Sequence, residues 1–124
     1  MSGNEYASLA MRTNDGKSIN RLLDNLHNEK PIANAQLLNA CLGLSGEVGE
    51  FNDIVKKYIF HETSVDILHL EKELGDIMWY IALACDSLGL SLDGVMRLNI
   101  DKLKARYPEG FDTNKSKNRA EGDI

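Results

Sequence analysis

The sequence predicts an all-α fold, an antiparallel bundle of four or more helices that assembles into oligomers. Three observations predict it. Apolar residues recur at steps of three and four along most of the chain, only Pro31 and Pro108 interrupt it, and consecutive long segments carry coiled-coil-like stripes suited to packing side by side. Association is expected because 124 residues can bury a core yet gain much from a partner surface. Leu42, Met78 and Trp79 are also left over from the stripes.

The elements follow in order. Two short amphipathic helices are expected around Tyr6 to Met11 and Ile19 to Leu26, separated by the turn signal Asn14-Asp15-Gly16. Leu37, Cys41, Leu44, Val48, Phe51, Val55 and Tyr58 then form one stripe of a long helix from Asn34 to Phe60. Leu70, Leu74, Ile77, Ile81, Ala84 and Leu88 repeat the pattern on a second long helix, capped near Thr63 or Ser64 and stopped at Gly89, a residue suited to the left-handed C-terminal position. A further helix starts after Ser91, carries Leu92, Val95, Met96 and Leu103, and ends before Pro108, which pushes its predecessor out of helical geometry. One domain over residues 1–111 and a polar, extended tail over 112–124 complete the expectation.

Composition narrows the function. The net charge of −5 argues against a nucleic acid polymer as partner, since backbone affinity comes from surplus Lys and Arg. A nucleotide substrate stays open, because a bound divalent cation reverses the local sign of an acidic site. No apolar run approaches the ~20 residues of a membrane span, and the start Met-Ser-Gly-Asn-Glu-Tyr carries no export signal, so a cytoplasmic protein is expected. Cys41 and Cys85 sit among apolar residues and are expected to be small buried hydrophobes with no disulfide.

The chemistry concentrates in acids. Glu47 and Glu50 form an E-x-x-E pair, Glu73 and Asp76 an E-x-x-D pair on the next long helix, and residues three apart share a face. Each acid precedes a stripe residue by one position, so packed stripes bring the four carboxylates to one edge of the seam. Such a gathering is unfavourable unless a cation binds between them. An all-oxygen set suits Mg²⁺, with Mn²⁺ as a substitute; Asp76 stands where a di-iron bundle would carry histidine. Spacing alone leaves a solvated acidic face as the other reading.

Gly43, Gly46, Gly49 and Gly75 fall inside helices, where each costs ~1 kcal/mol relative to alanine. Gly43 and Gly46 share the acidic face and either clear space for a ligand or admit a neighbouring helix; Gly49, on another face, is expected to serve helix approach. Asn99, Lys102 and Arg106 lie at i, i+3 and i+7 and either hold phosphate oxygens or are solvated. Lys56 and Lys57 are weaker candidates of the same kind. Tyr80, one turn beyond Asp76, is placed to meet a sugar or base. His69 is expected to be a bystander, and Trp79 to point elsewhere, into core or interface.

Taken together, Gly46-Glu-Val-Gly-Glu50, Glu73-Leu-Gly-Asp76 and the run from Asn99 to Arg106 resemble the MazG-like nucleoside triphosphate pyrophosphohydrolases. The likeness extends from Asn4-Glu5-Tyr6 to Phe111. It implies homodimers or homotetramers of an all-α fold that bind Mg²⁺ through both acidic motifs and cleave between the α- and β-phosphates. Carried over, Glu47, Glu50, Glu73 and Asp76 become metal ligands and Asn99, Lys102 and Arg106 substrate contacts; Tyr80 and Lys56 are added to the substrate contacts from their helical positions alone. Either Glu47 or Glu50 becomes the general base, Glu50 being favoured. The alternatives are a related enzyme acting on phosphoribosyl-ATP and a non-catalytic helical module that binds nucleotide or metal.

Overall fold

The computed structural model describes residues 1–61 and 63–118, the side chain of Lys115 excepted. Among these residues the protein is all-helical: α1 (Gly3–Met11), α2 (Ser18–Leu26), α3 (Asn34–Phe60), α4 (Ile67–Ser87), α5 (Leu92–Arg106) and α6 (Thr113–Lys117). None of these helices is long and apolar enough to cross a membrane. The chain divides into two compact units, residues 1–88 and 89–124.

In the first unit the chain begins with a capping box, and α1 starts earlier than the expected Tyr6. The Ser2 hydroxyl accepts from Glu5 N and the Glu5 carboxylate accepts from Ser2 N, so α1 opens three residues before Tyr6. A turn closed on the Asn14 and Asp15 side chains leads to α2, with Gly16 at φ +70°. Next, α2 lies against the start of α3, and Asn34 ties the two, donating to Asn28 O through its backbone and to Asn25 O through its side chain.

The first unit is organised by α3 and α4, which run antiparallel. At one end Ala33 N donates to Ser87 O, and the Gln36 amide donates to Leu83 O at 3.3 Å and to the Asp86 carboxylate at 2.8 Å. In mid-helix Gly43 faces Tyr80, and beyond it Glu47 faces Glu73 and Asp76. The start of α4 corrects the expected cap at Thr63 or Ser64. Those residues stay outside the helix; Asp66, in extended geometry, takes the role by accepting from His69 N at 3.1 Å. The helix stops at Gly89, whose φ of +70° is the expected left-handed exit.

The seam lies one residue to the side of the predicted stripes. Its inner strip on α3 is Gln36, Ala40, Gly43 and Glu47, small or polar residues that allow close approach, and Ala40 is essentially buried. The predicted stripe residues Val48 and Leu74 are 39% and 48% exposed. Cysteine burial divides accordingly: Cys85 is buried, but Cys41 is exposed at an apolar groove of about 340 Å³ shared with Leu22, Leu26, Leu37 and Leu38, and both thiols are free.

In the second unit the Ser91 hydroxyl caps α5 by accepting from Gly94 N, and α5 ends at Arg106, before Pro108 as expected. The Tyr107 and Phe111 rings meet at a tilt of 37°, their centres 5.4 Å apart. Beyond Phe111 the expectation of a wholly extended tail fails. Asp112 accepts from Asn114 N at 2.8 Å and starts the single turn of α6, a local capping signal with no periodicity behind it. The tail residues 119–124 lie outside the described part.

Candidate metal centre

Three of the four predicted carboxylates meet. Glu47 from α3 and Glu73 and Asp76 from α4 offer oxygens that all lie within 4.8 Å of one another. Their enclosure is graded: Glu73 is 8% exposed, Glu47 is half-buried and Asp76 opens to solvent. Glu50 stands outside this trio, exposed one turn along α3, and lines the adjoining cleft.

The electrostatics are those of an uncompensated acidic pocket. Glu47 Oε2 and Glu73 Oε2 are buried, and neither accepts a hydrogen bond from a protein donor. The Glu47 carboxyl is pushed above the usual range, first by loss of solvation, then by the charges of Glu50 and Asp76 and by its contact with Glu73. Leaving a buried acceptor unmet costs about 1–3 kcal/mol, more when the group is charged. A hard divalent cation fits this donor set, because it would supply both orphaned oxygens with a partner and cancel the repulsion.

Two clefts flank the trio along the same seam. The first, about 370 Å³, is lined by Glu47, Asp76, Trp79 and Tyr80. Gly43 shapes it, because a Cβ at that position would overlap the Tyr80 ring, so the absent side chain lets the ring lie on α3. This favours helix approach over ligand space as the reason for Gly43. Trp79 does not point elsewhere: it is 58% exposed and meets Tyr80 edge-to-face at 5.0 Å. Its neighbour's ring, seated on Gly43, leaves the indole at the cleft edge.

The second cleft, about 440 Å³, is lined by Gly46, Gly49, Glu50, Asp53, Ile54, Lys57, His69 and Glu73. Around Gly46 and Gly49 a Cβ would meet open space, so among the described residues no helix of this chain approaches Gly49 closely, and the bare backbone of both lines the cleft. Of the two lysines it is Lys57 that lines this space, paired with Asp53 at 2.8 Å, which holds the Asp53 carboxyl below its usual range; Lys56 is exposed on the neighbouring position. His69, expected to be a bystander, has its Nε2 3.2 Å from Glu73 Oε1. The signal for it was present in sequence: four residues before Glu73 means one turn away on the same face.

Asn99, Lys102 and Arg106 lie on α5 in the second unit, the first two exposed and Arg106 half-buried, its guanidinium 5.8 Å from the centre of the Tyr107 ring.

Comparison with known proteins adds to this geometry. A family model described as the MazG nucleotide pyrophosphohydrolase domain matches residues 36–111, a span that contains both acidic pairs and the stripe on α5. The "Gene 37 protein" of Mycobacterium phage L5 is 35% identical over 82 residues, covering 63% of this chain and 72% of that protein. No solved structure matches the chain.

Proposed function

Because the chain belongs to the MazG nucleotide pyrophosphohydrolase family, we propose that it hydrolyses nucleoside triphosphates, deoxynucleotides included, to the monophosphate and pyrophosphate, with Mg²⁺ or Mn²⁺, as a nucleotide-pool house-cleaning enzyme. The observation that carries this reading is the pair of orphaned buried oxygens on Glu47 and Glu73 beside Asp76. A divalent cation held there would draw polyphosphate to an acidic seam and polarise the attacked phosphorus.

Glu47, Glu73 and Asp76 would hold the cation, and Glu50, outside the trio and one turn along α3, would be the fourth acid beside it. Being exposed and outside the trio, Glu50 is also the better placed of the two α3 acids to take a proton from the attacking water, while Glu47 is enclosed. The bond from the α-phosphorus to the bridging oxygen breaks, and pyrophosphate departs. By family likeness alone, phosphate contacts are assigned to Asn99, Lys102 and Arg106, which would bring an amide and two cations; Lys56 would be a further cation, although it is Lys57 that lines the cleft. Tyr80 and the neighbouring Trp79 present ring surface to a base or sugar.

Assembly as a homodimer or homotetramer belongs to the same reading, with helices of partner subunits completing the antiparallel bundle. Among the described residues only Ala40 and Cys85 are buried apolar side chains, whereas Leu42 and Met78 are 65% and 60% exposed. Apolar exposure of this extent supports that reading, since large exposed apolar patches often serve as association surfaces.

The test is a panel of ribo- and deoxyribonucleoside triphosphates with phosphoribosyl-ATP, incubated with Mg²⁺ and with excess EDTA, with monophosphate, pyrophosphate and phosphate separated. Monophosphate and pyrophosphate in equal amounts, abolished by EDTA, are expected. Release of single phosphates, or full turnover in EDTA, contradicts the reading. Turnover of phosphoribosyl-ATP alone moves the chain to that reaction, and no turnover of any substrate leaves a binding module.

A further inference from the structure

Glu73 is the most enclosed acid of the trio, and its two oxygens differ. Oε1 has His69 Nε2 at 3.2 Å; Oε2 is buried without a donor. The torsion that sets a glutamate carboxylate is broad and roughly two-fold, so an unrestrained carboxylate samples many orientations. Engaging one oxygen restrains where the other points.

Local sequence fixes this arrangement. Asp66 caps α4 through His69 N, which sets the helix start and places His69 in the first turn; Glu73 follows one turn later on the same face. Glu73 is thereby held from its open side, where His69 lines the cleft with Glu50, Asp53 and Lys57.

Resting on the metal reading above, we propose that His69 is a positioning residue: it holds Glu73 Oε1 so that Oε2 is presented to a divalent cation shared with Glu47 and Asp76. Groups that fix a ligating carboxylate from behind typically change metal affinity about 10–100-fold when removed. A merely structural role gives a different pattern, because the His69 side chain is itself half exposed and an ion pair at this spacing contributes only about 0.2–0.5 kcal/mol to helix stability.

The experiment is Mn²⁺ binding to the nucleotide-free full chain, followed by the paramagnetic resonance signal of free Mn²⁺, for wild type, His69→Ala, His69→Gln and Glu73→Gln, with melting temperatures in EDTA. His69→Ala is expected to weaken Mn²⁺ about 10–100-fold at unchanged melting temperature. His69→Gln, which keeps an N–H of similar reach, recovers most of the affinity. His69→Asn, too short to reach Glu73, replaces the alanine variant should that one fail to fold, with the same expected loss. Unchanged Mn²⁺ affinity in His69→Ala or His69→Asn, with binding lost in Glu73→Gln, overturns the positioning role and leaves the metal site standing. Unchanged affinity in Glu73→Gln removes both.

Discussion

The strip of α3 that faces α4, Gln36, Ala40, Gly43 and Glu47, is small or polar, whereas the strip one step further round the same helix pair, Val48, Leu74 and Met78, is large, apolar and open. A helix pair built for stability alone would reverse the two and place its bulkiest apolar residues in the seam. Here the seam encloses carboxylates, and the apolar strip is open to solvent. On the proposed reading the difference teaches that the seam serves the site while the open apolar strip is left for a partner helix.

The largest way to test the polar strip is Asp76→Asn. Asp76 is the open member of the trio, so the change removes a ligand charge without disturbing packing. Turnover of the preferred triphosphate is expected to fall about 100-fold or more at unchanged melting temperature, measured as pyrophosphate release. Wild-type turnover would place the acid outside the site.

For the apolar strip, Leu74→Lys with Met78→Lys should convert a homodimer or homotetramer to monomer in sedimentation velocity. Each lost side-chain burial removes about 2 kcal/mol of association. A wild-type chain already monomeric at micromolar concentration would break the comparison, because the open strip would then have no partner.

A substitution at their meeting point, Gly43→Ala, sharpens the contrast. The new methyl overlaps the Tyr80 ring, which has to move. Expected are a stability loss of about 1–3 kcal/mol in urea unfolding and a raised KM for nucleotide, with kcat affected less. An unchanged KM would separate Tyr80 from the substrate.

The smallest effect is a pH dependence. Desolvation and neighbouring acids raise the Glu47 pKa, so between the ordinary glutamate value and the raised one the metal-free native chain binds more protons than the unfolded chain. Stability in EDTA is therefore expected to decline as pH rises through that window, while Mg²⁺ affinity increases, because the cation requires the ionised form. Thermal melts at a series of pH values, with EDTA and with Mg²⁺, check both signs; stability rising with pH in EDTA would contradict the assignment.

Much of this was legible in sequence, for identifiable reasons. The long periodic segment gave α3 its observed bounds, Asn34 to Phe60, and Gly89 ended α4 at the φ that glycine allows. The offset of the seam was not legible, since periodicity weights large apolar residues and overlooks Ala40 and Gly43, whose value lies in what they leave out. Asp66 was hidden behind Thr63 and Ser64, three acceptable caps within four residues. The acidic pairs announced a site, but spacing could not tell that Glu50 would stand apart from the trio, or that Trp79 and His69 would line its clefts.

The central claim, that an unfavourable buried acid is retained to hold a cation, is tested most directly by melting wild type and Glu73→Gln with Mg²⁺ and with EDTA. Glutamine keeps the shape, removes the charge and offers an N–H to Glu47. In EDTA the variant should therefore melt higher than wild type, by roughly 3–6 °C for each kcal/mol relieved, while the rise that Mg²⁺ gives wild type disappears. A variant that melts lower in EDTA, yet still gains stability from Mg²⁺ as wild type does, would contradict the account.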